Sequence, residues 1–541
     1  MKNLLSKKNL LKFTLIIIPF FTVFFSLYQL NLQYDGYHHG VVYSISQDFL
    51  NGQVPYKDFL PHYGIFYILV NSIFIKFFSN SIFGIYFIIS LCKGLTFLFF
   101  GLLIKKLFNI NIAISTLILL FLVHPFVDTP WPDYLFFLLV LVSFYLFYIS
   151  KSKTLYLISG FIYSLAALTK DNFFFILIFS IISFFLIFIY LRFYKRKNLE
   201  IDLISLFSII GFFIPLIFFF VYLEYHSITN LFFDHFEVGK FNILYHCNSN
   251  FEFILFRTVD CAIISFFLLI KKSFFNFFLQ PYWFFFLVII FTNIFFILNI
   301  FFFDESKNIS KKKLIIISLS FLSLLLYSNN LYFLTVQRLF TGVSFGIITL
   351  IYIIDNLKSP IPKFIIHCFL FVFLINSFQL GRTPNNPIYP TYYDKQFNDK
   401  NELDFLKYKK LSKNEWKQLN QVNDIINQIS DSCLDINFST NLTNDVFYRI
   451  ILKEKFELIN FIPFGPRDKF ITELFDKFDP NYFVNLNEKI KKKQIVILID
   501  SFYENKYKFF DNEEIYLFKS IKYNNYGTRF INIYLPNDCK I

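Results

Sequence analysis

The length, composition and charge of the chain are those of a membrane protein. Its 541 residues are 56% hydrophobic and 23% aromatic, which excludes a single soluble domain and predicts a polytopic membrane protein. Residues 1–381 carry 27 Lys and Arg against 16 Asp and Glu, whereas residues 382–541 carry 24 against 22. The basic excess therefore belongs to the membrane part, where it clusters in short loops as the positive-inside rule describes, and it does not indicate a nucleic-acid partner.

The first apolar run, residues 13–30, follows four lysines in the manner of a signal peptide. No small-residue cleavage site precedes Asn31, so we expect a retained anchor. The polar interval that follows, Gln33 to Tyr63, holds Asp35, His38, His39, Asp48, Lys57, Asp58 and His62. Titratable groups at a bilayer edge lose hydration and need partners or a substrate, so this interval is a candidate site.

Residues 63–79 are apolar but short, and their placement decides the topology. If they cross the membrane, Lys105 and Lys106 fall outside; if they lie in the outer interface, all the basic clusters become cytoplasmic. We therefore predict the interfacial placement. The eleven predicted spans are then 13–30, 81–104, 110–124, 134–149, 155–168, 173–191, 201–223, 281–303, 313–328, 339–355 and 362–381.

An odd number of spans predicts a cytoplasmic amino terminus and an extracytoplasmic tail. The segment 251–280 stays open, because its apolar core is short and Lys271 and Lys272 favour a cytoplasmic turn that the count does not permit. Most unusual polar residues then gather on the outer face, as an extracytoplasmic active site requires. A transporter would instead place them at the midplane of broken helices, and we find neither midplane charges nor paired spans interrupted by Gly or Pro.

The tail, residues 382–541, is predicted to be a soluble extracytoplasmic α/β domain. Its apolar pattern predicts helices at 422–429 and 445–455 and strands at 434–438, 494–500, 516–521 and 530–535. The six cysteines of the chain show no metal or redox spacing. Two of them, Cys433 and Cys539, share the tail and could pair.

The first loop carries a recognisable order of motifs. Asp35-Gly36 lies just beyond the first span, N-G-x-V-P-Y-K-D runs from Asn51 to Asp58, and P-H-Y-G runs from Pro61 to Gly64. This order resembles the first external loop of GT-C glycosyltransferases, in particular bacterial members akin to protein O-mannosyltransferases and lipid A aminoarabinose transferases. The acidic pair frequent in that family is here Asp35-Gly36, so a second acid would be Asp58 or come from another loop.

The resemblance implies an α-helical GT-C-like glycosyltransferase domain at residues 1–381, in which residues 31–79 form the external loop with interfacial helices. It implies transfer of a sugar from a polyprenyl-phosphate carrier to an extracytoplasmic glycolipid, glycan or protein, and a place in the bacterial cytoplasmic membrane. A single displacement would invert the anomeric centre. An Asp of this loop is the family's catalytic base, so Asp35 is the predicted base; its alternative role is a helix cap.

The resemblance and the charges add candidates for substrate binding, namely His38, His39, Asp58, His62, Asp128, Asp133, Lys170 and Arg338. Lys170, at the end of the L-A-A-L-T-K motif, and Arg338 are expected to hold phosphate. The alternatives are structural, because Lys170 can pair with Asp171 and reach headgroups, and Asp residues in Pro-rich turns make local hydrogen bonds. No Cys or Glu completes a metal spacing around the histidines, so we expect no cofactor, with a divalent metal as the alternative.

A polysaccharide polymerase or O-antigen ligase is the alternative function. The long outer loop 224–260 contains His226, His235 and His246, and that class builds its site in a large late loop. It would need neither Asp35 nor a folded tail, so these two features favour the glycosyltransferase. A lipid-linked sugar transporter is the third possibility.

Overall fold

The structure is a computed structural model. It describes residues 7–32, 38–59, 61, 63–123, 131–199, 203–233, 254–275, 282–304, 306, 308–330, 336–357, 397–398, 404–406, 409–433, 437–441, 488, 492, 495–500, 515–522, 530–539 and 541. The predicted site residues Asp35, His62 and Asp128 lie outside these ranges. So do the predicted span 362–381 and the predicted helix 445–455.

Residues up to 357 form a helical bundle. Its described helices are α1 Lys7–Leu32, α2 His38–Leu50, α3 Ile65–Phe77, α4 Phe83–Leu107, α5 Ile110–Val123, α6 Asp133–Ile149, α7 Lys153–Ala167, α8 Asp171–Ile189, α9 Phe207–Tyr225, α10 Ile254–Phe275, α11 Tyr282–Leu298, α12 Lys311–Asn330 and α13 Val336–Asn356. Each span predicted up to residue 355 coincides with one of them. A π-helical turn extends α8 over Tyr190–Tyr194, and another extends α11 over Asn299–Phe303.

The described residues include five helices long and apolar enough to cross a membrane, so the protein is a multi-pass membrane protein. These segments are Leu11–Asn31, Phe83–Leu107, Phe173–Tyr194, Ile204–Tyr225 and Trp283–Phe303. The apolar helix α3 has 13 residues, a length of roughly 20 Å, which is too short for a hydrocarbon core of about 30 Å. The interfacial placement of α3 stays a prediction, since α5 and α7, which coincide with predicted spans, have only 14 and 15 residues. The segment that the sequence left open contains α10.

The helices approach each other closely where side chains are small. A Cβ atom on Gly160 of α7 would lie 1.7 Å from the carbonyl oxygen of Ser208, and one on Gly211 of α9 would lie 2.0 Å from that of Leu157. The Ser143 and Ser159 hydroxyls each donate to the other residue's carbonyl oxygen, at 2.8 and 2.9 Å, and join α6 to α7. Such contacts hold membrane helices together because lipid supplies no hydrophobic drive.

One end of the bundle carries a cluster of basic residues, and we call it the basic end. The Asp304 carboxylate binds Lys197 Nζ at 2.9 Å and Lys313 Nζ at 2.8 Å, beside two short parallel strands, β1 Asn198–Leu199 and β2 Asn308–Ile309. Burial alone would raise the pKa of Asp304, but hydrogen bonds from Lys313, Ser306 and Lys197 outweigh burial and lower it. A charged carboxylate therefore joins the loop after α8 to the loop before α12.

The tail contains the predicted α and β elements. Two short strands, β3 Phe397–Asn398 and β4 Leu411–Ser412, precede α14 Lys413–Ser432. A four-stranded sheet follows in the order β5 Asn437–Asn441, β6 Ile495–Asp500, β8 Phe530–Pro536 and β7 Ile515–Lys522, in which only the β5–β6 pair is parallel. The described part of the predicted strand at 434–438, Asn437 and Phe438, belongs to β5. Cys433 and Cys539 form a disulfide, which confirms their pairing.

The tail is packed against the start of the bundle. The Ile82 amide donates to the carbonyl oxygen of Phe405 at 2.9 Å. The buried Lys409 ammonium donates to the last carbonyl oxygens of α1, on Leu30 at 3.3 Å and Asn31 at 3.4 Å. One continuous cluster of buried apolar side chains includes residues of α2, α3, α4, α14 and the sheet. The tail core and the first-loop core are therefore continuous.

We expect Lys409→Met to destabilise this docking. The ammonium satisfies carbonyl groups that every helix end leaves without a partner, and a hydrogen bond to a charged group contributes about 1.5–3 kcal/mol. The melting temperature of the purified protein should fall relative to Lys417→Met, which changes an exposed lysine of α14. Equal melting temperatures for the two variants would show that the docking does not depend on Lys409.

Candidate functional site

The first loop lies at the end of the bundle opposite the basic end, and we call it the loop end. In α2, His39 is fully buried and its Nδ1 lies 2.9 Å from the hydroxyl of Tyr86 in α4. The His38 ring meets Trp131, just before α6, edge to face with 6.1 Å between ring centroids. Both predicted histidines thus belong to contacts that join α2 to neighbouring helices, and their roles toward a substrate stay predictions.

The N-G-x-V-P-Y-K-D motif forms a compact turn after α2. Gly52, at φ +85°, adopts a backbone conformation that favours glycine. The Asp58 carboxylate accepts the Val54 amide at 2.7 Å, while the Asp58 amide donates to the Val54 carbonyl oxygen at 2.9 Å. Tyr56 is fully buried and contacts Phe232. Asp58 therefore has a local structural role in closing this turn, alongside the substrate-binding role predicted for it.

The P-H-Y-G motif meets the L-A-A-L-T-K motif directly. The Gly64 amide donates to the Thr169 carbonyl oxygen at 3.1 Å, and the Phe66 amide donates to that of Leu168 at 3.0 Å. A Cβ atom on Gly64 would lie 2.4 Å from the Leu168 oxygen and 2.7 Å from the Lys170 nitrogen, so only glycine fits there. Two motifs about one hundred positions apart form one junction.

Lys170 caps the start of α8 and is half-buried. Its Nζ lies 5.1 Å from the centroid of the Phe173 ring, and that ring lies 4.0 Å from Phe136 in the first turn of α6. The same turn begins with Asp133, which is 8% exposed. The structure thus brings Lys170 and Asp133 to the same end of the bundle. The Phe173 and Phe136 rings link Lys170 to the helical turn that contains Asp133.

A buried lysine that the sequence analysis overlooked lies at the same end. Lys93 of α4 is 2% exposed, and its Nζ lies 4.5 Å from the centroid of the Tyr134 ring. Tyr134 follows Asp133 in the sequence. The prediction that the spans carry no midplane charges is therefore wrong for the span that contains Lys93. The signal was present in the sequence, since S-L-C-K-G-L places a lysine within an apolar run, where ionisable residues are usually functional.

Asp133 also interacts electrostatically with Tyr67 of α3. Burial raises the pKa of Tyr67 well above its ordinary value, a hydrogen bond with Asn71 opposes this rise, and the charge of Asp133 adds to it. A small cavity lies between α3, α4 and the start of α6, lined in part by Tyr67, Trp131 and Tyr134. Residues of α3, α4 and the start of α6 thus meet at one location.

The first turn of α13 reaches the same location. Phe340 and Tyr134 line one small cavity, and Phe345 contacts Phe137 with ring centroids 5.1 Å apart. The backbone of Arg338 belongs to this turn of α13. The fold accordingly places the predicted late arginine beside the start of α6, and its phosphate-binding role stays a prediction.

Of the histidines that suggested the alternative function, only His226 lies within the described residues. His226 ends α9 and contacts the rings of Tyr222 and Tyr225, and the loop that follows it lies outside the described residues from 234 to 253. Within the described ranges, no group of three or more His, Cys, Asp or Glu side chains is placed to hold a metal ion. The described polar side chains of the loop end include two lysines, a buried aspartate, histidines and phenols.

We expect Gly64→Ala to disturb the junction of the two motifs. Because the new methyl group would meet backbone atoms, which cannot rotate away, overpacking should cost about 1–3 kcal/mol and move the first loop off the start of α8. Thermal unfolding should detect the loss of stability. The control is Ile73→Ala, because Ile73 of α3 is 56% exposed. An unshifted melting temperature would mean that the loop yields freely at Gly64.

Comparison with known proteins supports the fold. No family model matches the sequence, and no curated protein matches it. The structure is similar to the crystal structure of ArnT from Cupriavidus metallidurans bound to undecaprenyl phosphate, with a TM-score of 0.53 and 11% identity over 97% of each chain. It is similarly close to ArnT in the apo state, with a TM-score of 0.53 and 10% identity over 96% of this chain and 97% of that one.

ArnT is a lipid A aminoarabinose transferase of the GT-C superfamily. The resemblance to GT-C glycosyltransferases that the first loop suggested is thus confirmed at the level of the fold, and the match extends over the bundle and the tail together.

Proposed function

We propose that the protein is a membrane glycosyltransferase that transfers a sugar from a polyprenyl-phosphate carrier to an extracytoplasmic acceptor. The observation that carries the proposal is the convergence of Lys93, Asp133, Lys170 and the first loop at one end of a GT-C-like bundle. A similar fold binds undecaprenyl phosphate in ArnT. Buried cations and an adjacent carboxylate suit a reaction that separates a phosphate from a sugar.

Asp35 supplies the base in this proposal. Sugar transfer requires removal of the proton of the acceptor hydroxyl, and a carboxylate positioned beside it is a suitable acceptor. Asp35 lies three positions before His38 at the start of α2, so the chain keeps the two within about 11 Å. The base is thereby tethered to the loop end, where the lysines lie.

Lys170 and Lys93 hold the phosphate side, with Arg338 as a further partner. Ammonium groups in partly buried positions bind phosphate oxygens by short charge-assisted hydrogen bonds. Lys170 is half-buried and adjoins the first loop through Gly64, whereas Lys93 is buried behind Tyr134. We therefore assign direct phosphate contact to Lys170 and a supporting positive charge to Lys93.

Mass analysis of surface glycolipids and glycans, in cells with and without the protein, tests the reaction class. Loss of one sugar substituent, restored by the wild-type chain, is the expected result. Accumulation of lipid-linked oligosaccharide with loss of a long polymer would replace the proposal by the polymerase or ligase. Accumulation of a lipid-linked sugar confined to the cytoplasmic leaflet would replace it by the transporter.

The tail lies outside the membrane in this proposal, and the Cys433–Cys539 disulfide supports that side, because disulfides persist in oxidising compartments. We expect a reporter that is active only in the cytoplasm to be silent when it is fused after Ile541 and active when it is fused before Met1. The arrangement follows from the predicted odd number of spans and from the basic clusters. Full activity of the fusion after Ile541 would reverse the topology and move the proposed site to the wrong side.

A further inference from the structure

A separate cavity lies near the basic end, away from the proposed catalytic cluster. A cavity of about 230 Å³ opens between α6, α7, α8, α9 and the start of α12. Along α6 it begins at Ser143 and reaches Phe147, which lies 14 residues or roughly 21 Å along the helix from Asp133. The cavity thus occupies the half of the bundle that the sugar-transfer site does not use.

The cavity runs from the middle of the bundle to the basic end. Its inner part is marked by Tyr163, whose hydroxyl donates to Ser180 at 3.1 Å, and its other end by Lys311 in the first turn of α12. Leu206 lines it and is still 47% exposed, so the cavity reaches the lipid-facing surface. Next to the lining residue Ile181, Ile182 is 48% exposed. A membrane lipid can therefore enter from the side.

Most hydroxyl groups in the lining have hydrogen-bond partners within the protein. Ser143 and Ser159 bond each other across α6 and α7, and Ser180 accepts from Tyr163. Ser208 donates to the Ser205 carbonyl oxygen at 2.7 Å. A polar ligand such as a sugar would lose its hydration there without gaining these partners, so the walls suit a hydrocarbon chain.

The end of the cavity carries a positive charge. Lys311 Nζ donates to the Tyr156 hydroxyl at 2.8 Å and to the Ser150 carbonyl oxygen at 3.3 Å. These two hydrogen bonds use two of the three protons of the ammonium group. Both of these partners are neutral. The ion pairs seen among the described residues at this end join Lys197 and Lys313 to Asp304 and do not include Lys311. The ammonium at the mouth of the cavity therefore has no carboxylate within 4 Å in the described part of the chain.

We propose that this cavity binds an anionic glycerophospholipid of the leaflet at the basic end, with one acyl chain in the cavity and the phosphate on Lys311. The apolar walls select the chain, the side opening gives access from the bilayer, and the ammonium selects the anionic headgroup. The inference does not depend on the proposed sugar transfer, because the site shares none of its residues.

The test uses the full chain in nanodiscs that contain a photoactivatable phosphatidylglycerol with a diazirine in the acyl chain. Adducts should map by mass spectrometry to α6, α8, α9 or the first turns of α12. Ile181→Trp fills the cavity and should lower the adduct yield severalfold. The neighbouring Ile182→Trp faces the lipid and should leave the yield at the wild-type level, provided that both variants elute as the native species in size exclusion.

The charge is tested separately, because a filled cavity could also alter the fold. Lys311→Met should reduce the preference for phosphatidylglycerol over phosphatidylcholine by about fivefold, the effect of one basic residue on an anionic headgroup. Lys312→Met is the control, since that ammonium lies 4.2 Å from the Phe108 ring centroid and does not line the cavity.

Three results would overturn the proposal. The first is a wild-type adduct that maps outside these helices. The second is an equal yield from the Ile181→Trp and Ile182→Trp variants. The third is competition by undecaprenyl phosphate but not by unlabelled phosphatidylglycerol, which would assign the cavity to the isoprenoid carrier instead.

Discussion

Asp35→Asn is expected to lower turnover by about two to four orders of magnitude, while the protein reaches the membrane at its normal level. Asparagine keeps the shape of the side chain and can still cap a helix, but it cannot accept the proton of an acceptor hydroxyl. The substitution therefore separates the catalytic role from the structural one. Turnover is measured with purified protein, the polyprenyl-phosphate sugar and the acceptor identified by the cellular glycan analysis.

Two further variants make the Asp35 result specific. Asp35→Glu retains a carboxylate and should keep part of the activity. Glu224→Gln changes an exposed acid that accepts a hydrogen bond from Thr229 and has no proposed role in the reaction, so it should leave turnover at the wild-type level. If Asp35→Asn protein transfers sugar at an undiminished rate, Asp35 is a cap, and the base must be sought among Asp58, Asp128 and Asp133.

Lys170→Ala is expected to weaken the binding of undecaprenyl phosphate by about 10- to 100-fold. One hydrogen bond from a charged group contributes about 1.5–3 kcal/mol, which corresponds to that range of dissociation constants. The phosphate is already charged before the reaction, so the loss should appear mainly in donor binding and only weakly in turnover at saturation. Equilibrium binding of radiolabelled undecaprenyl phosphate to the purified protein measures it.

The controls for Lys170 address charge and position. Lys170→Arg keeps a cation beside the Phe173 ring and should retain most of the affinity, whereas Lys151→Ala removes an exposed lysine between α6 and α7 and should change nothing. Unchanged binding by Lys170→Ala would indicate that Lys170 contacts lipid headgroups or Asp171, which was the structural alternative. Lys93 and Arg338 would then be the phosphate ligands to examine.

The helices and most strands of this protein follow from local properties of the sequence. Long apolar runs such as residues 81–104 must form helices in a membrane, because helices satisfy their own backbone hydrogen bonds without water. The GT-C-like fold was predicted from the resemblance of the first-loop motifs to that family. Within these motifs glycine is needed at Gly52 and Gly64, because these positions require a backbone conformation or a close contact that other residues do not allow.

Only the tertiary structure decided which distant residues lie together. Gly64 bonds to Thr169, Lys93 packs on Tyr134, and Lys409 caps the end of α1. Each of these contacts joins separate elements, and hydropathy within a window carries no information about partners outside it. The length of α3 could be predicted because it depends only on the local apolar run. The burial of Lys93 and the cavity at Lys311 could not be predicted, because they depend on how helices pack side by side.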